Sequence, residues 1–150
     1  MQRMLAAFIL GAALCAPARA TLLWKWSYDG DGVSAAGTLT TADAPDASGF
    51  YQITEIAGQR NGVAITALQP AGTSTPGNPG YPVDDRIRAD GPQLTKAGFG
   101  FALADGSYGN AFFLDSASPP QYLEARSATQ PPAFKEVTIR FSASIAPAPK

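Results

Sequence analysis

The chain has 150 residues, of which 45% are apolar and only 15% are charged, and its formal net charge is −1. This balance is typical of a globular protein, although the charged share lies below the usual value of about 25%. The sequence contains no histidine and a single cysteine. These absences exclude the commonest general base, the nucleophile triads that depend on histidine, and the usual zinc, copper and haem sites. We therefore expect neither a cofactor nor a bound metal.

The first twenty residues have the layout of a secretory signal peptide. A short positively charged start is followed by an apolar run over residues 4–15 and then by small residues up to Ala20, after which we predict cleavage. The run is too short to span a bilayer. Leu14 is too large for the position that precedes a lipid-modified cysteine, so we interpret Cys15 as one more apolar residue of the leader. We expect an exported protein, secreted or periplasmic, with no cysteine and no membrane span in residues 21–150.

The mature chain is predicted to form a single all-β domain. Its length fits one domain of the usual size, and short alternating runs between turn residues replace any sustained helical period. The pattern predicts about eight or nine antiparallel strands, and it leaves open whether they form a β-sandwich or an up-and-down β-barrel. The predicted strands cover residues 22–28, 33–41, 50–57, 63–68, 83–89, 99–103, 108–114, 121–126 and 136–145, and a frayed tail follows at 146–150.

Turn residues separate these strands. Asn61-Gly62 and Asp105-Gly106 are strong hairpin signals. The longest irregular segment, residues 69–82, is rich in proline and glycine, and we call it the proline-glycine loop. Large residues alternate with small ones in the strand at 99–103, which indicates that another segment approaches its small face closely.

The segment Asp29-Gly30-Asp31-Gly32 resembles the start of a calcium-binding loop. An EF-hand loop would also need a ligand at position 5 and a glutamate at position 12. Val33 and Thr40 occupy those positions. We therefore interpret the segment as a hairpin turn.

Strand and turn residues spread over most of the mature chain carry a family resemblance. They are Trp26-Ser27-Tyr28, Gly37-Thr38-Leu39-Thr40-Thr41, Gly49-Phe50-Tyr51, Ile53-Thr54, Gly58, Arg60-Asn61-Gly62, Ile65, Asp84-Asp85, Gly98-Phe99-Gly100-Phe101, Asp105-Gly106 and Asn110. Together they resemble a group of small exported bacterial proteins, many of which carry a C-terminal PEP-CTERM sorting tag. The tag itself, with its Pro-Glu-Pro motif, does not occur in this sequence. The resemblance implies export, and it brings no activity and no functional residues with it.

Carboxylates are the remaining candidates for catalysis. Asp84 and Asp85 are adjacent in a predicted strand and would point to opposite faces, so they cannot form a catalytic pair with each other. Glycoside hydrolysis would need a distant partner such as Asp105, Asp115 or Glu124. The sequence does not indicate such a pair, and we predict no catalytic residue. A small carboxylate-dependent hydrolase that acts on glycans is the alternative function.

The aromatic residues divide into core and binding candidates. Trp24, Trp26 and Tyr28 share one face of a predicted strand, as a core stripe does. Tyr81 lies in the proline-glycine loop and Tyr108 begins a predicted strand, and we take both as candidate ligand-binding residues. Exposed rings can stack on polymers, and loops commonly carry binding sites.

These observations favour an exported, non-catalytic β-domain that serves as a binding or structural component of the cell envelope or extracellular matrix. The expected partner is a polysaccharide or an envelope protein, and docking through a free sheet edge is a third possibility. Nucleic acid is not expected, because without its leader the chain has nine basic and twelve acidic residues. The densest basic pair, Arg86 and Arg88, is surrounded by aspartates.

Overall fold

The computed structural model describes residues 20–148, which are all-β. Most of the predicted leader and the last two residues lie outside the described part. The nine strands are β1 (Thr21–Gly30), β2 (Val33–Ala42), β3 (Tyr51–Arg60), β4 (Val63–Leu68), β5 (Arg86–Ile87), β6 (Phe99–Leu103), β7 (Tyr108–Leu114), β8 (Gln121–Thr129) and β9 (Pro132–Ile145). No helix within residues 20–148 is long and apolar enough to cross a membrane.

Eight of the strands form a closed antiparallel barrel. Each strand pairs with its neighbours in chain order, and β1 pairs with β9 to close the ring. Only β4 and β6 are joined by a long connection, residues 69–98, which contains β5. The short β5 lies beside the start of β3, with Ile87 opposite Tyr51. The fold is thus an up-and-down barrel with one additional strand, and the all-β prediction is confirmed.

Two predicted strands differ from the observed ones by more than three residues in length. Residues 83–89 were expected to be extended, but only Arg86–Ile87 forms a strand. The reason is Asp85, which has a φ of 51° and turns the chain, while its backbone N–H donates to Gly98 O at 3.0 Å. In contrast, β9 begins at Pro132 instead of residue 136, because it pairs with β8 as far as Thr129.

Aromatic side chains fill the barrel. Trp24, Trp26 and Tyr28 are all buried, which confirms the predicted core stripe. The Trp26 ring lies 5.6 Å from that of Phe99 and 6.4 Å from that of Phe101, across the barrel on β6. Edge-to-face and tilted contacts of this kind add to the stability that burial provides.

The outer face of β6 is covered by the proline-glycine loop. A Cβ atom at Gly100 would lie about 3.0 Å from side-chain atoms of Gln69 and Thr75 and 3.1 Å from Val83. Only a residue without a side chain allows this approach. The expected close approach to the small face of this strand is therefore confirmed, and it fixes where the loop crosses the barrel.

One strand edge stays open in the described part of the chain. β1 pairs with β9 only between Ile139 and Ile145. Residues 132–138 pair with β8 alone. Lys135 and Glu136 are exposed there, and charges on an edge discourage strand addition.

Candidate binding groove

A groove with a volume of about 720 Å³ lies on the outside of the barrel. It runs between the proline-glycine loop and the outward faces of β7, β8 and β9, and its size is within the range of about 300–1,000 Å³ found for ligand sites. We call it the aromatic groove. It is defined by Gly77, Asn78, Pro79, Gly80, Tyr81, Pro82, Lys96, Ala97, Asn110, Phe112, Leu114, Ala125, Phe134 and Glu136.

Strand alternation aims the floor residues outward. Ala111 belongs to the core and Phe113 packs against it, so Asn110 and Phe112 between and beside them face the outside. The same rule places Phe134 on the outer face of β9, because Ile139 points inward and is buried. The floor is consequently the outer face of the sheet.

Two exposed aromatic side chains flank this groove. Tyr81 is 69% exposed and Phe134 is 55% exposed. Phe112 and Leu114 also line the groove and are half-buried. A concave apolar surface bordered by exposed rings is the usual form of a small-molecule or polymer site.

The groove contains two buried asparagines in contrasting states. Asn110 is 3% exposed, and its Nδ2 donates to Ala97 O at 3.1 Å and to Phe99 O at 3.0 Å. Asn78 is 8% exposed and lines the groove, but its carboxamide makes no hydrogen bond within residues 20–148. Its Nδ2 and Oδ1 atoms are not among the fully buried side-chain atoms that lack a hydrogen bond, so they remain in contact with solvent. The Asn78 amide is therefore free to bond a ligand.

The charges at the groove balance. Lys96 and Glu136 are the charged residues among those that line it, and both are exposed. Within residues 20–148 neither of them forms an ion pair. The groove therefore has no net charge and does not favour a strongly anionic or cationic ligand.

The two tyrosines proposed from the sequence are separated. Tyr81 lines the aromatic groove, whereas Tyr108 is not among its lining residues. Tyr108 begins β7 opposite Ala102 and Ser127, and its side chain is half-buried. The structure thus brings Tyr81 together with Phe134 instead of Tyr108.

The carboxylate of Glu124 lies inside the barrel. It is completely buried and receives hydrogen bonds from Arg60 Nε at 3.0 and 2.8 Å and from the Tyr28 hydroxyl. Burial raises the pKa of Tyr28 well above its ordinary value, and the Glu124 carboxylate raises it further. Arg60 and Tyr28 hold Glu124 as an internal polar cluster.

Asp84 and Asp85 follow the proline-glycine loop in the chain, and their carboxyl groups lie in different environments. Asp85 is 1% exposed, and one of its oxygens accepts a hydrogen bond from Gly100 N at 3.3 Å. Burial, together with the nearby Asp84 charge, raises its pKa to about 7 against the lowering effect of that hydrogen bond. Asp84 instead accepts hydrogen bonds from Thr95 and Arg86.

The other carboxylates named from the sequence are not gathered in one cleft. Asp105 accepts hydrogen bonds from Ser107, whose side chain and backbone lower its pKa. Asp115 is exposed in the connection after β7. A second groove, of about 570 Å³ on the outer side of β1–β3, contains Asp29 as its acid. Within residues 20–148 no three acidic, histidine or cysteine side chains are clustered in a way that could hold a metal ion.

Two residues of the aromatic groove were missed from the sequence. Phe134 lay outside the predicted strand, although it continues the alternation of β9 on the wet face, where an aromatic residue is unusual and is itself a signal. Asn78 gave no signal, since asparagine is an ordinary turn residue.

Comparison of the chain with protein-family models, with curated proteins and with solved structures finds no match.

Proposed function

We propose that the protein is an exported, non-catalytic recognition module of the cell envelope or extracellular matrix, with the aromatic groove as its binding surface. The observation that carries the proposal is the position of Tyr81 and Phe134. They belong to different segments of the chain, both are exposed, and both border one concave apolar surface. Such a surface is stabilised when a ligand covers it, by about 25 cal/mol for each Å² of apolar area removed from water.

Export is supported by the leader and by the family resemblance. A positively charged start, an apolar run and small residues before the cleavage point are what the secretory machinery recognises. A module outside the cytoplasm meets polysaccharides and envelope proteins. Both are ligand classes that an exposed groove on the outside of the barrel can bind.

The alternative, a carboxylate-dependent glycan hydrolase, requires two acids in one cleft. The aromatic groove contains Glu136 and no second acid among its lining residues. Asp29 in the second groove is hydrogen-bonded to Arg140. We find no observation that favours hydrolysis over binding.

The test is a binding screen with purified residues 21–150, which contain every described strand. The probes are immobilised envelope polysaccharides and a fraction of envelope proteins. We expect binding that Tyr81→Ala and Phe134→Ala each weaken. Leu23→Ala is the matched control, because Leu23 is also exposed (49%) but does not line the groove. Equal binding by all three variants and the unchanged chain would exclude the groove as the binding surface. Release of reducing sugar ends from a polysaccharide would exclude a non-catalytic role.

A further inference from the structure

The free carboxamide of Asn78 indicates what kind of ligand the aromatic groove takes. Asn78 is more than nine-tenths buried and lines the groove. Its backbone N–H donates to Thr75 O at 3.0 Å, which fixes the residue in the loop. Its carboxamide forms no hydrogen bond within residues 20–148 and is open to solvent through the groove. A carboxamide offers two N–H donors and a carbonyl acceptor side by side. A ligand that satisfies it must therefore donate and accept hydrogen bonds at neighbouring positions.

The charge and the apolar area of the groove further narrow the class of ligand that it can bind. Lys96 and Glu136 balance each other at its rim, which favours a ligand without net charge. The rings of Tyr81 and Phe134 offer flat apolar faces for stacking. A sugar ring combines these features, because its hydroxyl groups both donate and accept while the C–H groups on its faces form an apolar surface.

We infer that the aromatic groove binds a neutral polysaccharide. One of its sugar rings stacks on Tyr81 or Phe134, and two of its hydroxyl groups form hydrogen bonds with Asn78. The inference depends on the proposed binding role of the groove and adds the ligand class and a specificity-determining residue. Asn110, which is also buried in the groove, is excluded from that role since both of its N–H groups are already donated to backbone carbonyls.

An extended peptide is a weaker candidate for the same groove. Peptides that bind as added strands need a row of free backbone groups at a sheet edge. The floor is formed by β7, β8 and β9, and β7 and β8 are paired on both sides. The open stretch of β9 at residues 132–138 carries the exposed Lys135 and Glu136, and such charges discourage strand addition. A proline-rich peptide needs only aromatic side chains and a few hydrogen-bond donors. It is therefore tested beside the oligosaccharides as the competing ligand.

The experiment measures dissociation constants by titration calorimetry with residues 21–150. The probes are neutral oligosaccharides prepared from glucans, mannans and galactans, together with a neutral proline-rich peptide. We expect an oligosaccharide to bind and Asn78→Ala to weaken its binding by about 5- to 160-fold, the net worth of two neutral hydrogen bonds. Asn78→Asp, which keeps the size but cannot donate, should also weaken binding.

Gln59→Ala is the matched control, because Gln59 has an exposed carboxamide in the second groove, and it should bind like the unchanged chain. Near-ultraviolet circular dichroism verifies that each variant is folded. Unchanged affinity in folded Asn78→Ala and Asn78→Asp would overturn the assignment of Asn78. Peptide binding without oligosaccharide binding would overturn the ligand class while the groove stays in place. If neither Tyr81→Ala nor Phe134→Ala alters binding, the proposed function itself fails.

Discussion

The aromatic side chains of this protein occupy two regions with opposite environments. Inside the barrel, Trp24 and Phe99 are completely buried, so they contribute to folding. In the aromatic groove, Tyr81 and Phe134 are mostly exposed, and their apolar area is available to a ligand. The number of aromatic residues therefore says little about function. What matters is whether the fold leaves a ring without neighbours.

Polar groups repeat the same contrast. The Glu124 carboxylate in the barrel is bonded by Arg60 and Tyr28, whereas the Asn78 amide in the groove has no partner within residues 20–148. The interior has one exception, because the buried Trp26 Nε1 lacks a hydrogen bond in the described part of the chain. The internal cluster is thus satisfied within the protein, whereas the Asn78 carboxamide is left to solvent.

The largest expected effect comes from breaking the internal cluster. Arg60→Leu leaves the buried Glu124 carboxylate without its cation, and we expect a loss of about 3–5 kcal/mol in the free energy of unfolding. Urea denaturation measures it. Arg60→Leu with Glu124→Leu should recover most of the loss, because no buried charge is then left unpaired. Equal stability of Arg60→Leu and the unchanged chain would show that the cluster does not stabilise the interior.

The second effect concerns the buried carboxyl group of Asp85. The pKa of Asp85 is about 7 in the folded protein and about 3.9 when unfolded. Between about pH 4 and pH 7 the carboxyl group is ionised in the unfolded chain but still protonated in the folded protein. Its contribution to the free energy of unfolding is therefore greatest at low pH and falls as the pH rises from about 4 to 7. We expect its contribution to the free energy of unfolding to fall by about 2–3 kcal/mol between pH 5 and pH 8.

Asp85→Asn is the variant that isolates this contribution. Asparagine tolerates the positive φ of this position, and its side-chain oxygen can still accept from Gly100 N. We expect the variant to be more stable than the unchanged chain at pH 8 and less dependent on pH, as measured by urea unfolding across the pH range. Arg86 forms ion pairs with Asp84 and Asp46 and not with Asp85. It therefore does not stabilise the ionised form of Asp85. The same pH dependence in both proteins would contradict the assignment.

A smaller effect separates the two buried asparagines. Asn110→Ala leaves the carbonyls of Ala97 and Phe99 without their donor, and we expect a cost of about 1–3 kcal/mol in the free energy of unfolding. Asn78→Ala removes no hydrogen bond in the described structure, and we expect a change within about 0.5 kcal/mol. Thermal unfolding of both variants compares them directly. A larger loss for Asn78→Ala than for Asn110→Ala would show that Asn78 supports the loop.

The barrel interior could be predicted from the sequence to a large extent. The alternation that places Trp24, Trp26 and Tyr28 on one face arises from the two-residue period of a strand, and the turn at Asn61-Gly62 has the positive φ angles that its sequence demands. Closure into a barrel could not be predicted, because the pairing of β1 with β9 depends on the whole ring and not on a local pattern.

The groove could be predicted only in part. Tyr81 was recognised as an exposed aromatic residue of the loop, because a ring among prolines and glycines has few neighbours in sequence. Phe134 lines the same groove because the loop packs over β6 and because β9 extends to Pro132. Both are long-range contacts that no local pattern records. The environment of Asn78 depends on the same contacts.

The most direct test of the contrast between the two regions uses the double variant Tyr81→Ala with Phe134→Ala. Removal of exposed rings should change the free energy of unfolding by no more than about 0.5 kcal/mol for each site. In the same samples, the affinity for the immobilised envelope polysaccharides should fall by at least tenfold, since about 1.4 kcal/mol of binding energy corresponds to that factor. We expect unchanged folding and lost binding. A double variant that binds normally would contradict the proposal that the groove is the functional surface.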